Sequence, residues 1–106
     1  MRELKTLARG SSFSYEGSLE TGLTLHFGSS NKFQFYVSKE NCSQLIKQFK
    51  GKKAVIGTSR DKPPKGSMGD WLKNNVSQTA ISSYMAPILI EEGYAKGIGN
   101  RELQFN

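Results

Sequence analysis

Two stretches, Leu23-Thr24-Leu25-His26-Phe27 and Phe33-Gln34-Phe35-Tyr36-Val37, decide how this chain is read. In each, apolar and polar side chains alternate, the period of a strand with one buried face. The spacer between them, Gly28-Ser29-Ser30-Asn31-Lys32, consists mostly of turn formers. Pairing Phe27 with Phe33, Leu25 with Phe35 and Leu23 with Val37 puts all six apolar side chains on one face. A one-residue slip would set apolar groups against polar ones, so the pattern selects its own register. The opposite face carries Thr24, His26, Gln34 and Tyr36 and is either solvated or a contact surface.

Upstream of the hairpin, Phe13 and Tyr15 mark a short strand closed by Gly17. Residues 2–9, with Leu4, Leu7 and Ala8 on one side and Gly10 behind them, are expected to form a short helix. Downstream, Ser38 is placed to cap a helix over 39–50. Its inward side is Cys42, Leu45, Ile46 and Phe49; Lys39, Ser43, Lys47 and Lys50 point away, and Gly51 ends it. Lys53-Ala54-Val55-Ile56 is read as a third core strand, followed by a long loop from Gly57 to Gly69 that contains Pro63-Pro64. From 70 to 92 an apolar stripe recurs at helical spacing, interrupted at Asn74-Asn75 and again at Pro87. One kinked helix or two or three shorter ones would satisfy that pattern. Gly93 is a stop, Tyr94 to Asn100 a glycine-rich turn, and Arg101 to Phe105 alternates as a last strand. The expected fold is α+β, a small, mostly antiparallel sheet with amphipathic helices packed on one face, in a single compact domain over 1–106.

Composition narrows the function classes. The chain has 106 residues, 36% of them hydrophobic, and no apolar run approaches a bilayer span. Its charged start lacks the apolar stretch of a signal peptide, so a cytoplasmic protein with no membrane partner is expected. The single cysteine, Cys42, excludes an internal disulfide, and the single histidine, His26, argues against an all-protein zinc site. Neither a cofactor nor a metal is expected.

The formal charge is +6, and it is concentrated. Lys47, Lys50, Lys52, Lys53, Arg60, Lys62 and Lys65, opposed only by Asp61, carry the whole excess, while the other 87 residues balance eight bases with eight acids. Such a cluster attracts phosphate-rich or acidic partners, and these residues are the candidate nucleic-acid contacts. The plainer reading is a lysine-rich helix end and loop kept soluble by its charge.

The stretch Val76-Ser-Gln-Thr-Ala-Ile-Ser-Ser-Tyr-Met85, followed by Ile88-Leu-Ile-Glu-Glu-Gly-Tyr94 and a glycine-bearing hairpin, resembles a winged helix-turn-helix DNA-binding pattern over residues 70–106. The resemblance implies a supporting helix over 71–74, a turn at Asn75 and a recognition helix capped by Ser77. It would present Gln78, Thr79, Ser82 and Ser83 to the major groove, with Lys96, Asn100 and Arg101 on the wing near phosphates. The alternative is that Ala80, Ile81, Tyr84, Met85, Ile88 and Leu89 simply pack a C-terminal helix on the sheet.

For catalysis the residues offer little. His26 lies on the polar strand face, where Thr24, Gln34 and Tyr36 supply no carboxylate to orient it, so it reads as a surface histidine. Cys42 falls on an apolar helix face, where a thiol behaves as a small hydrophobe. The loop at 57–66 lacks the Gly-Lys-Ser/Thr order of a phosphate-binding loop. The expectation is therefore a small basic non-enzyme that binds DNA or RNA mainly through phosphates, with Tyr36 and His26 as further contacts. The alternative is a protein-interaction module, acting as a homodimer or with another protein, whose contact is the apolar stretch Met85 to Ile90 or a sheet edge.

Overall fold

The computed structural model describes every residue except Arg60 and Asn100. Seven strands and three helices make an α+β fold. The strands are β1 (Arg2–Lys5), β2 (Ser12–Ser18), β3 (Gly22–Phe27), β4 (Phe33–Val37), β5 (Lys53–Val55), β6 (Ala95–Ile98) and β7 (Glu102–Phe105). The helices are α1 (Lys39–Phe49), α2 (Met68–Asn75) and α3 (Ser82–Glu91). None of the described helices is long and apolar enough to cross a membrane.

The β3–β4 hairpin has the register its alternation dictates: Leu23 opposite Val37, Leu25 opposite Phe35, Phe27 opposite Phe33. Burial fades toward the turn. Leu23, Leu25 and Val37 are buried, Phe27 and Phe35 are partly covered, and Phe33 is 55% exposed. At the hairpin tip Phe33 lies over Gly28, with its ring stacked on Phe27 at 5.9 Å and the Lys32 ammonium nearby.

Two expectations are corrected. Residues 2–9 do not form a helix. Arg2 to Lys5 pair antiparallel with Tyr15 to Ser12, and a turn closed by the Gly10 N–H to the Thr6 carbonyl follows. Leu4 and Leu7 fit helical spacing, but a segment this short does not distinguish the two periods, and an open edge on β2 captured it. There are also two sheets rather than one. The first is the meander β1-β2-β3-β4; the second has the order β5-β7-β6. A strand pattern reveals that a segment is extended, not which distant strand it will meet.

α1 begins as its sequence requires, with the Ser38 hydroxyl accepting from the Asn41 N–H at 3.1 Å, and buries Cys42, Leu45 and Phe49. α2 is capped the same way by Ser67, whose hydroxyl accepts from the Asp70 N–H. The 70–92 stripe divides at 76–81, not at Pro87, which sits buried inside α3. α3 has apolar groups on every side, the mark of an interior helix, and Glu91 is its one exposed residue. It packs between the two sheets, touching β6 on one side and β1 on the other. The Tyr84 ring lies 5.1 Å from Phe13 and 4.6 Å from Phe27.

The ends of the long loop are tied to this core. The Gly69 N–H donates to the Ile56 carbonyl and the Ser82 hydroxyl to the Gly57 carbonyl, both at 2.8 Å. A Cβ on Gly69 would collide with the Gly57 backbone, which explains the glycine there.

Candidate nucleic-acid interface

The last strand gathers the lysines. Gln104 of β7 lies opposite Lys53 of β5 on one side and Lys96 of β6 on the other. Cross-strand partners share a face, so the two lysines straddle Gln104 about 10 Å apart, two strand spacings. One residue on, the Phe105 N–H donates to the Lys52 carbonyl at 2.9 Å, and the Gly51 N–H donates to the Asn106 carbonyl at 2.7 Å. Lys47 and Lys50, from the end of α1, stand with Lys39 on the rim of a groove of about 430 Å³ that Phe105 and Asn106 also line. Lys53 and Lys96 thus flank Gln104 on one face of β7, while Lys47 and Lys50 stand by the groove lined by Phe105, which points to the opposite face. Lys39 and Tyr94 line that groove as well. The 39, 43, 47, 50 spacing showed Lys39 on the outward helix face, but no local signal put Tyr94 across from it.

These cations are not spent on internal partners. Among the described residues no lysine or arginine nitrogen comes within 4.0 Å of a carboxylate oxygen. The only such pair is His26 Nε2 with Glu16 Oε2, at 3.3 Å. That pair corrects the reading of His26. The residue is 8% exposed rather than superficial, and β2 supplies the carboxylate that its own hairpin lacks.

Other candidates lie elsewhere. Lys62 and Lys65 are exposed on the long loop, where the Lys62 N–H donates to the Ser59 hydroxyl, and Arg60 lies outside the described residues. Arg101 is exposed at the β6–β7 turn, its carbonyl accepting from the Ile56 N–H; Asn100 beside it also lies outside the described residues. Gln78 and Thr79 are exposed, but in the turn between α2 and α3 rather than on a helix. Ser77 accepts from the Thr79 N–H within that turn and does not cap α3. Ser82 is buried, with its hydroxyl committed to Gly57. It cannot face a groove, because the loop end it holds occupies that side. The Met85–Ile90 stretch offers little contact surface: Met85, Ala86, Ile88 and Leu89 are at most 1% exposed, Pro87 is buried and Ile90 is half-buried.

A second cleft, of about 490 Å³, opens between the β1–β2 turn, the exit of β5 and the start of α3. It is lined largely by hydroxyl and small side chains, with Arg9 its one charged group among the described residues. The remaining reactive groups are quiet. Burial pushes the Cys42 thiol up to about 11, with the Glu92 charge adding to it. Burial also raises the Tyr15 hydroxyl, to about 12, helped by its 2.8 Å hydrogen bond to Glu92 Oε2.

Comparison with protein-family models, curated proteins and solved structures finds nothing that matches this chain.

Proposed function

We propose that this protein is a small, non-enzymatic nucleic-acid-binding protein of the cytoplasm that holds its ligand mainly through phosphates. The observation that carries the reading is the set of exposed lysines around the end of β7, gathered from α1, β5 and β6 with no carboxylate partner. Uncompensated cations near one strand end raise the local concentration of polyanions and release counterions on binding. A lone buried thiol is in keeping with a reducing compartment.

The segment that resembles a winged helix-turn-helix comprises α2, a short turn, α3 and the β6–β7 hairpin. Its usual mode of reading does not carry over. α3 buries Ser82 and Met85 to Leu89, leaves Ser83, Tyr84 and Ile90 half-covered, and carries no lysine or arginine to offer a major groove, so the reading rests on phosphate contacts.

The test is anisotropy of labelled oligonucleotides at two salt concentrations, with wild type and Lys52→Glu/Lys53→Glu. Binding that weakens with salt is expected, with the double variant weaker on every sequence. Its log–log salt slope should be shallower by about 1.4–1.8, the value for two lost phosphate contacts on a single strand or a duplex. Absence of binding at low salt would overturn the reading.

Self-association has one observation in its favour. β4 is an edge strand, with Phe33 55% and Tyr36 62% exposed. Light scattering over a dilution series tests it, a constant monomer mass counting against it.

A further inference from the structure

The groove beside the lysines has a floor that phosphates do not need. Ile46 of α1 and Tyr94, just after α3, are half-buried along it, above the buried Leu19 and Phe105. Lys39, Lys47 and Lys50 stand on one rim. Lys39 and Lys47 are two turns apart, about 12 Å along the helix, so the cations follow the groove rather than cap one point of it. The far end is closed by Glu20, whose carboxylate accepts from the Tyr94 hydroxyl at 3.2 Å. That bond holds the ring in the wall, and the acid leaves the lysine rim as the only place for an anion.

An apolar, aromatic-walled trough with cations along one side matches a ligand with a flat apolar part and a regularly charged backbone. A duplex keeps its bases stacked inside and would leave the trough empty. An acidic peptide would use the rim and offer nothing flat to the wall. From this charge and shape complementarity we infer that the groove between α1 and Tyr94 takes unpaired bases, making single-stranded nucleic acid the ligand. The inference rests on the phosphate-binding reading above. Bases stack against Tyr94 and Ile46 while the adjoining phosphates run along Lys39, Lys47 and Lys50, the general scheme of single-strand binding surfaces.

The experiment compares a short oligothymidylate with a duplex of equal length, on wild type, Tyr94→Ala, Tyr94→Phe and Ile46→Asp. The single strand is expected to bind at least about fivefold more tightly than the duplex, the lower end of what one stacked base contributes. Tyr94→Ala should remove that preference with the salt slope unchanged, Ile46→Asp should remove it with a shallower slope because its carboxylate stands beside Lys47 and Lys50, and Tyr94→Phe, which keeps the ring, should retain it. Tyr94→Phe and Ile46→Asp keep the test open if Tyr94→Ala does not fold. Equal affinity for strand and duplex, or a preference that survives Tyr94→Ala, would overturn the groove while leaving the lysines as phosphate contacts. So would equally effective competition by polyglutamate, which would mark an acidic-peptide groove. Failure of both oligonucleotides to bind at low salt would overturn the phosphate reading itself.

Discussion

α1 and α3 differ by one residue in length and have opposite fates. α1 buries one side, Cys42, Leu45 and Phe49, and turns Lys39, Ser43, Lys47 and Lys50 to water. α3 buries six of its ten residues, even its polar Ser82, and exposes only Glu91. A recognition helix needs a face with nothing folded onto it. In this chain α1 has such a face and α3 offers little of one, so the proposed phosphate contacts fall on the helix outside the motif.

The comparison breaks first at Ile88, fully buried in α3. Ile88→Ala should cost about 2–5 kcal/mol, from lost burial and a cavity between two sheets. Lys47→Ala on the open side of α1 should stay within about 0.5 kcal/mol. Urea unfolding of the two variants checks both, and near-equal midpoints would break the contrast.

Glu92, at the end of α3, is the next test. Its two carboxylate oxygens accept from the Tyr15 hydroxyl at 2.8 Å and the Leu19 N–H at 2.9 Å, tying the helix to the first sheet. Glu92→Ala strands both donors and should cost about 2–3 kcal/mol in a urea titration.

The same tether gives a pH dependence. Tyr15 titrates at about 12 in the fold, against about 10 when unfolded. Because the folded value is the higher one, its stabilising contribution is complete below pH of about 10 and is lost as pH rises from there toward 12. Melting temperatures across that window should fall less steeply in Tyr15→Phe than in wild type.

The smallest effect separates structure from binding at one residue. Ser82→Ala leaves the Gly57 carbonyl without its donor and should cost about 1 kcal/mol. Oligonucleotide affinity should not change. A loss of affinity at full stability would return Ser82 to the interface.

The parts that were legible are local. Hairpin register follows from alternation, and the Ser38 cap and inward face of α1 follow from helical spacing. Each depends on residues close in sequence. The candidate site was legible only as a list of lysines. Lys47, Lys50, Lys52 and Lys53 can be named from the sequence, but the placing of Lys53 and Lys96 on either side of Gln104 depends on β7 crossing back between β5 and β6. Ser82 was misread because polarity suggests exposure, and only the return of Gly57 from 25 residues away gives its hydroxyl a buried partner.

By itself, then, the sequence determined the hairpin, the capped amphipathic helix, the long loop and the concentration of charge between 47 and 65. Periodicity, turn chemistry and charge act over a few residues and can be read from them. Tertiary structure alone decided that Arg2 to Lys5 is a strand, that the strands divide into two sheets and that α3 is enclosed. It also set Tyr94 opposite the lysines of α1. Those outcomes depend on which distant surfaces meet, and burial is a property of the pair that meets rather than of either segment.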